Sequence, residues 1–505
     1  MKEWTREERY RELTRDALGE LQQLHETVSA SPYRCTYHVQ TVTGLLGDTN
    51  GFSYFKDRWH LFFQWFPYGP VHGLKHWYHV SGPDLIRWEN EGVALIPDRY
   101  EDNKGDFSGS GFACGDKLYL PFTGNHRDED WTRTPYQLLA VMDEDGNITK
   151  QDKILYGPVE GYTEHQRDPK LFYRKEDDSY YFLLGAQDMN KKGKFLLFRS
   201  KQIEEGWELL GELKVRGYDD FGFMVECPDL ERVGDDWLLL FSPQGVEPQE
   251  DEFRNIYQNV YFIGQMDFDN LEFIPNGPYK ELDRGFDFYA AQCAGQDVMP
   301  DAAVMCAWFG VSDYVYEPQV EHGYSGLQTM ARVMTIEDGK LMQRPPKAVY
   351  GLKDELLLRI HEGKTEKDIL NGRMEPACLI RADNIDDRPF EMCLFCTEDQ
   401  KGFTVSCRNG KLTVEREEVI NKLNTAYGTD RSVRCENGLH SLEIFVDHSC
   451  IEIFVNDGEY VLSARVFPCA NENGFRAEGL DELAVYRLNA SVKDDFVIFP
   501  DQKQE

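Results

Sequence analysis

The sequence predicts an all-β protein: a five-bladed β-propeller followed by a C-terminal β-sandwich, with an N-terminal helix. Three observations carry this. An acidic or polar turn followed by an aromatic-aliphatic strand recurs about every sixty residues. Strong helical periodicity is scarce between these strands. From about Leu352 the chain turns to short alternating strands joined by Asn-Gly and Asp-Gly turns.

The recurring strands are KDRWHLFFQ from Lys56, GDKLYLPF from Gly115, EDDSYYFLLG from Glu176, GDDWLLLFS from Gly234 and PDAAVMCAWFG from Pro300. About sixty residues hold four short antiparallel strands and their turns, which is one propeller blade. The expected domains are an N-terminal extension over residues 1–34, the propeller over 35–350 and the sandwich over 351–505. In the extension, Tyr10, Leu13, Ala17, Leu21 and Leu24 fall at helical spacing, so an amphipathic helix is expected to dock on the body. In the last domain, Asn409-Gly410, Asn437-Gly438 and Asp457-Gly458 mark tight turns of an antiparallel sandwich.

A formal charge of −34 sets aside nucleic acids and acidic membranes as partners, because a polyanion repels a polyanion. No apolar run approaches the ~18 residues of a membrane span. The charged N-terminus is not read as a secretory signal. Twelve cysteines scattered through apolar segments predict reduced thiols in a cytoplasm. Cys393 and Cys396 form C-x-x-C, but no second ligand pair follows at zinc spacing. The segment reads as a strand, on which residues three apart face opposite sides. His72, His76 and His79 fall on strand and loop rather than one helix face. No metal or other cofactor is expected.

Upstream of each recurring strand stands an acidic or polar residue. Asp48, Ser108, Asp168 and Glu226 precede Trp59, Lys117, Tyr180 and Trp237 by about eleven residues; Asp287 precedes Ala303 at a longer offset. Equivalent positions on successive blades surround one axis, so three carboxylates distant in sequence should meet in one funnel. Alone, Asp48 in GDTNG reads as a turn cap, and Arg167-Asp168 as an ion pair. Glu226, between Val225 and Cys227, resists such a reading, since burying it costs free energy. The shared offset favours a common site.

Paired carboxylates across a glycosidic bond are the equipment for its hydrolysis. One attacks or activates water; the other donates a proton to the leaving oxygen, and their environments must separate their pKa values. Glu226, near apolar neighbours and other acids, is expected to have the raised pKa. Asp48, in a Gly-rich turn, is expected to stay ionised as the nucleophile. Asp168, beside Arg167, is expected to stay ionised and to stabilise the transition state. Trp65, Trp77 and Trp308 offer apolar faces for a sugar ring.

The ordered series G-D-x-N-G (47–51), LFFQ (61–64), FSGS (107–110), TGN (123–125), RDPK (167–170), ECPD (226–229) and FDFYA (286–290) resembles the β-fructofuranosidase family, glycoside hydrolase family 32. FVDHSCIEIFVNDGEYVLSARVFP (445–468) resembles that family's sandwich module, so the likeness runs over roughly residues 35 to 490. It implies a five-bladed propeller with a sandwich, and retaining hydrolysis through a fructosyl-enzyme intermediate without a cofactor. It implies Asp48 as nucleophile, Glu226 as acid/base and Asp168 as transition-state stabiliser. Gln64, Phe107, Ser108, Arg167 and Trp308 then sit where family members contact the sugar, and Leu45, Asn50 and Trp77 complete the substrate-binding set. GLKHWYH and the cytoplasmic character resemble bacterial members that split sucrose 6-phosphate into glucose 6-phosphate and fructose.

One departure stands out. The family pattern N-D-P-N-G is G-D-T-N-G here, which removes an amide at Gly47 and a stiffening proline at Thr49. Weaker positioning of the fructosyl unit is expected, by about 1–3 kcal/mol. The alternatives are a fructan or fructo-oligosaccharide hydrolase and a non-catalytic sugar-binding propeller. The expected partner is a small sugar, with a homodimer through the sandwich as a further option.

Overall fold

The computed structural model describes residues 2–295, 298–311, 316–417 and 426–504. Five four-stranded antiparallel units follow one another. Their innermost strands are Gly44–Phe55, Asp106–Gly109, Tyr162–Arg174, Met224–Val233 and Tyr289–Cys293. The recurring aromatic-aliphatic segments form the second strand of each blade. Leu61, Phe62, Phe63 and Trp65 in the first blade are all buried, because adjacent blades cover both faces of the strand. Such a strand reads as a near-continuous apolar run, which is why the repeat is visible in the sequence. The outer strands of the third and fourth blades pair in parallel through Lys214–Glu272 and Val215–Phe273. Tyr324–Ser325, late in the chain, pairs in parallel with Gly44–Leu45 and so ties the end of the ring to its first blade.

The C-terminal region packs a seven-stranded sheet against a five-stranded one. Ile380, Ile444 and Ile453 face Met392, Leu394 and Val405 in a common core. The Asn409-Gly410 turn has φ of 52° and 70° and joins directly paired Arg408 and Lys411. Both central residues lie in the left-handed region, as a two-residue type I′ hairpin requires. Propeller and sandwich are joined by buried ion pairs. Arg332, fully buried, donates to Asp283 (2.8 Å), Glu452 (3.0 Å) and Ser463 (2.8 Å).

Three expectations are corrected. The N-terminal segment is not one helix. A one-turn α-helix at Arg6–Arg9 and a 3-10 turn at Arg15–Ala17 precede the helix Leu18–Ser29. Its buried face is Leu21, His25 and Val28, with Leu13 and Ala17 docked ahead of it. Cys393 and Cys396 do not obey strand alternation, because Phe395 at φ 54° makes a bulge. The Cys396 thiol therefore turns back to donate to the Cys393 carbonyl (3.0 Å). Asp287 is not in the funnel. It is fully buried and accepts from Arg416 (2.6 Å), the Arg465 N–H (2.8 Å) and Tyr316 (3.1 Å), toward the sandwich.

Candidate active site

Each innermost strand breaks register at the same place. Gly47 and Asp48 oppose Gln64; Phe107 and Ser108 oppose Thr123; Asp168 and Pro169 oppose Leu184. Cys227 and Pro228 oppose Phe241, and Ala290 and Ala291 oppose Ala307. In every blade two residues face one, which is a β-bulge, a device that re-aims side chains beside active sites. Two of the five bulges carry proline, which has no ladder N–H to offer and is tolerated there. Asp168, Cys227 and Ala290 take φ of 68°, 45° and 52°, left-handed values that non-glycine residues adopt at a cost. The shared offset in the sequence is the distance from this bulge, around the hairpin, to the second strand. Asp287 lies outside the bulge of the fifth blade, which explains its longer offset.

The bulges bring the predicted carboxylates together. Ser108 donates to Asp48 (2.7 Å), and Gln64 donates to Ser108 (2.6 Å). Lys75 donates to the Gln64 side-chain oxygen, completing a chain across the first two blades. Asp168 accepts from the Cys227 N–H (2.9 Å), and its own N–H is held by Thr123 (3.0 Å). Arg167 donates to one oxygen of Glu226 from Nε (3.0 Å) and from a terminal nitrogen (2.6 Å). The other oxygen accepts from Gln244 (2.8 Å) and from the Tyr289 hydroxyl. Arg167, Glu226 and Tyr289 are the residues just before the bulge on three successive blades.

The electrostatics reverse one expectation. Burial pushes the Asp48 carboxyl above its ordinary value, against the pull of Lys75. Burial also lifts Asp168, to about 7, although Arg167 opposes it, and the nearby Glu226 and Asp48 charges add to the rise. Burial pushes Glu226 up too, but Arg167, Tyr289 and Lys75 outweigh it and its pKa is lowered. Glu226 is therefore the more acidic carboxyl and Asp168 the one that keeps its proton up to about 7, opposite to the sequence expectation. The cause is the Arg167 guanidinium first and then the Tyr289 hydroxyl, both distant from Glu226 in the sequence. Each carboxyl senses the others, so the three titrate as a group.

The substrate-binding candidates divide into two layers. Gln64, Phe107, Ser108 and Arg167 stand beside the carboxylates, with Phe107 and Arg167 partly exposed. Trp308 is buried against His72 at 6.3 Å, and its indole N–H is buried with no partner among the described residues. Burial, Lys75 and Arg9 hold His72 neutral, with its pKa lowered to about 3. Leu45 lies in the same apolar cluster as Trp308 and Tyr289. Trp77 is fully buried and donates to the Phe107 carbonyl (3.0 Å), so it supports the site and offers no face to a sugar. Trp65 is likewise core, donating to the Thr43 carbonyl (2.7 Å). Asn50 is fully buried; with its amide oxygen on the Gln64 N–H (3.1 Å) its nitrogen donates to Ser108 (3.3 Å). It braces the site from behind.

The G-D-T-N-G turn has a brace that the sequence reading missed. Gln328 donates to the Gly47 carbonyl (3.0 Å) and accepts from the Thr49 hydroxyl. A side chain from the far end of the propeller thus restrains the turn that lacks proline. Tyr289, Gln244, Thr123 and Gln328 all went unpredicted. Thr123 and Tyr289 carried a signal, as members of the TGN and FDFYA segments.

The one metal-like grouping among the described residues is Cys35, His38 and Cys450. His38 spends both ring nitrogens on Asp447 (3.0 Å) and Glu452 (3.1 Å), which raise its pKa to about 10 against the effect of burial. A charged, doubly bonded imidazole has no lone pair for a metal. The grouping is an ionic brace between the first blade and the sandwich.

Three carboxyls that sense one another, one of them held by an arginine, suit glycoside chemistry. Family comparison agrees. Residues 38–345 match the glycosyl hydrolases family 32 N-terminal domain, and residues 361–488 match the glycosyl hydrolases family 32 C terminal domain. The chain is 39% identical over 489 residues to a sucrose-6-phosphate hydrolase of Staphylococcus xylosus, covering 94% of this chain and 96% of that one. It is 35% identical to a sucrose-6-phosphate hydrolase of Bacillus subtilis, covering 90% and 94%. The structure of a sucrose-6-phosphate hydrolase from Lactobacillus gasseri superposes with a TM-score of 0.90 at 34% identity, over 97% of this chain and 100% of that one. A Bombyx mori family 32 β-fructofuranosidase mutant in complex with sucrose gives a TM-score of 0.80 at 30% identity, over 95% and 100%. With both family domains matched along most of its length and three carboxylates gathered at or beside the bulges of the first, third and fourth blades, this chain belongs to glycoside hydrolase family 32.

Proposed function

We propose that the protein hydrolyses sucrose 6-phosphate or sucrose, releasing fructose through a fructosyl-enzyme intermediate. The observation that carries this reading is the convergence of Asp48 and Asp168, on bulges of two innermost strands, with Glu226, just before the bulge of a third, each carboxyl sensing another. The relatives named sucrose-6-phosphate hydrolases support the choice of substrate.

In this reading the Asp48 carboxylate attacks the anomeric carbon of the fructosyl unit. The bond to the glucosyl oxygen breaks, and Glu226 supplies that oxygen with a proton. Water then attacks the fructosyl ester; Glu226 takes up its proton, and Asp48 leaves as carboxylate. Asp168 accepts hydrogen bonds from ring hydroxyls and opposes the positive charge that develops at the anomeric carbon. Since Glu226 is ionised at rest, the proton for the first step comes from the shared carboxyl group, where Asp168 holds it near neutrality. Substrate binding must weaken the Arg167 contact and move that proton to Glu226.

The test is fructose release from sucrose, sucrose 6-phosphate and inulin by the purified protein. Turnover of the first two, lost to background in Asp48→Ala and Glu226→Ala with unfolding midpoints near wild type, supports the reading. Faster turnover of inulin would favour the fructan alternative, and no turnover the non-catalytic one. A cytoplasmic setting and a homodimeric state belong to the same proposal. A single species at twice the chain mass by light scattering would support the dimer, and one at the chain mass would remove it.

A further inference from the structure

The rim of the site carries cations that the catalytic chemistry does not use. Arg127 and Arg133 face each other as directly paired residues at the end of the second blade's hairpin. Like charges directly opposite on a ladder are destabilising, so such a pair calls for an explanation. Arg127 donates to the Trp131 carbonyl (2.7 Å), but its Nε is buried without a partner among the described residues. Arg133 has neither a hydrogen bond nor an ion pair among them, and its Nε is likewise buried. Of the three acids of the connecting loop, Asp128 turns to His126 (3.0 Å) and Asp130 accepts from the Thr132 N–H (3.0 Å), while the exposed Glu129 makes no ion pair among the described residues. Glu164 contacts His165 (3.6 Å) and acts on Arg133 only through space, more weakly than Arg167 and Arg127 do. In a chain with 89 acidic against 55 basic residues, two adjacent arginines with no ion pair among the described residues are out of pattern.

Their position ties them to the site. The Arg133 guanidinium is 5.6 Å from the centroid of the Phe107 ring, and the Lys75 ammonium is 5.5 Å from the same centroid. Phe107 adjoins Ser108, which holds Asp48. Burial, with Arg167 and Arg127 nearby, depresses the pKa of Arg133 to about 10, the mark of a cation among cations. Arg6 reaches over from the N-terminal segment and stacks on Trp131 at 4.4 Å, beside Arg127 at 5.1 Å from that ring. His165 is held neutral by burial, Arg167 and Arg133, its pKa lowered to about 4. It accepts from Arg167 at Nδ1 (3.1 Å), which leaves its Nε2 as a donor.

We propose that Arg133, backed by Arg127, is the specificity-determining residue that binds the phosphate of the leaving glucosyl unit. A guanidinium presents a planar fork to a phosphomonoester, and a dianion would remove the repulsion between the paired arginines. Lys75, engaged with Gln64 beside Asp48, serves the fructosyl side instead. The inference rests on the sucrose 6-phosphate reading above and deepens it.

The test compares kcat/KM for sucrose 6-phosphate and for sucrose in wild type, Arg133→Ala and Arg133→Lys. The ratio of the two values is expected to fall roughly 10- to 100-fold in Arg133→Ala, mostly through KM for the phosphorylated substrate, and to be partly restored in Arg133→Lys. Equal losses on both substrates, or an unchanged ratio, would overturn the inference while leaving the hydrolase reading intact. Glucose 6-phosphate, inorganic phosphate and glucose are also titrated into wild type by calorimetry, a measurement independent of turnover and of variant folding. Binding of glucose 6-phosphate well above both of the others is expected. Binding no tighter than glucose would overturn the inference, and inorganic phosphate binding as tightly would reassign the site to free phosphate. If wild type turns over neither sugar, the hydrolase reading fails on its own, and the calorimetry still decides the phosphate site.

Discussion

Arg167 places two hydrogen bonds on a single oxygen of Glu226, at 3.0 and 2.6 Å, from the equivalent position on the preceding blade. This pair fixes the resting charge of the site. It makes Glu226 a base before substrate arrives and leaves the available proton to Asp168.

The pH dependence of kcat/KM follows from that arrangement. The first step needs Asp48 ionised and one proton in the carboxyl group. Asp48 is raised above its ordinary value, so activity falls at the acid end earlier than an exposed aspartate would dictate. The shared proton leaves as pH rises through about 7, so kcat/KM declines above that pH. A flat profile from pH 6 to 9 would contradict the assignment.

Tyr289→Phe removes one donor from the ionised Glu226 while keeping the ring. The Glu226 pKa rises, and the basic limb of the kcat/KM profile moves to higher pH. A loss of kcat by about tenfold is expected, the scale of one hydrogen bond to a charged group. An unmoved limb in stopped-assay pH profiles would show that Tyr289 does not tune Glu226.

Asp168→Asn separates stability from function. The unfolded chain ionises this carboxyl near its ordinary value, whereas the folded protein holds the proton until about 7. The unfolded state therefore binds fewer protons between those values, and stability falls as pH rises through that window. Asparagine removes the ionisation and can still accept from the Cys227 N–H. The variant is expected to unfold at a higher temperature than wild type at pH 8, with no such gain at pH 4, and to lose turnover. Calorimetric scans at the two pH values check this.

Gln328→Ala tests the brace on the nucleophile's turn. Loss of its bonds to Gly47 and Thr49 is expected to cost about 1–3 kcal/mol of stability and to lower kcat more than it raises KM, because Asp48 is less well aimed. An unchanged kcat with an unchanged denaturation midpoint would leave the turn rigid on its own.

Much of this site was legible in the sequence, and the physics says which part. The second strands of the blades announced themselves because burial on both faces demands unbroken apolar runs such as Leu61–Phe63 and Leu238–Phe241. Asp48, Asp168 and Glu226 could be aligned because a bulge sits at a fixed register from each hairpin. Their protonation could not be read, since it depends on Arg167 and Tyr289, which reach Glu226 from separate strands. Trp77 and Trp65 looked like sugar platforms because an exposed and a buried tryptophan spell the same letter. The N-terminal spacing from Tyr10 to Leu24 fitted a helix, yet the first part of it is docked as turns, where the propeller surface supplies the apolar contacts. Asp287 matched the repeat loosely because it belongs to the ionic joint with the sandwich.

The most direct test of the central claim is to find where the fructosyl group becomes attached. Glu226→Gln enzyme is mixed with a fructoside bearing an activated leaving group, quenched in acid and digested for mass spectrometry. The account predicts one fructosyl unit on the peptide that carries Asp48, and none on that peptide when Asp48→Asn is added. A fructosyl label on Asp168, or none on any peptide together with inverted product, would contradict it.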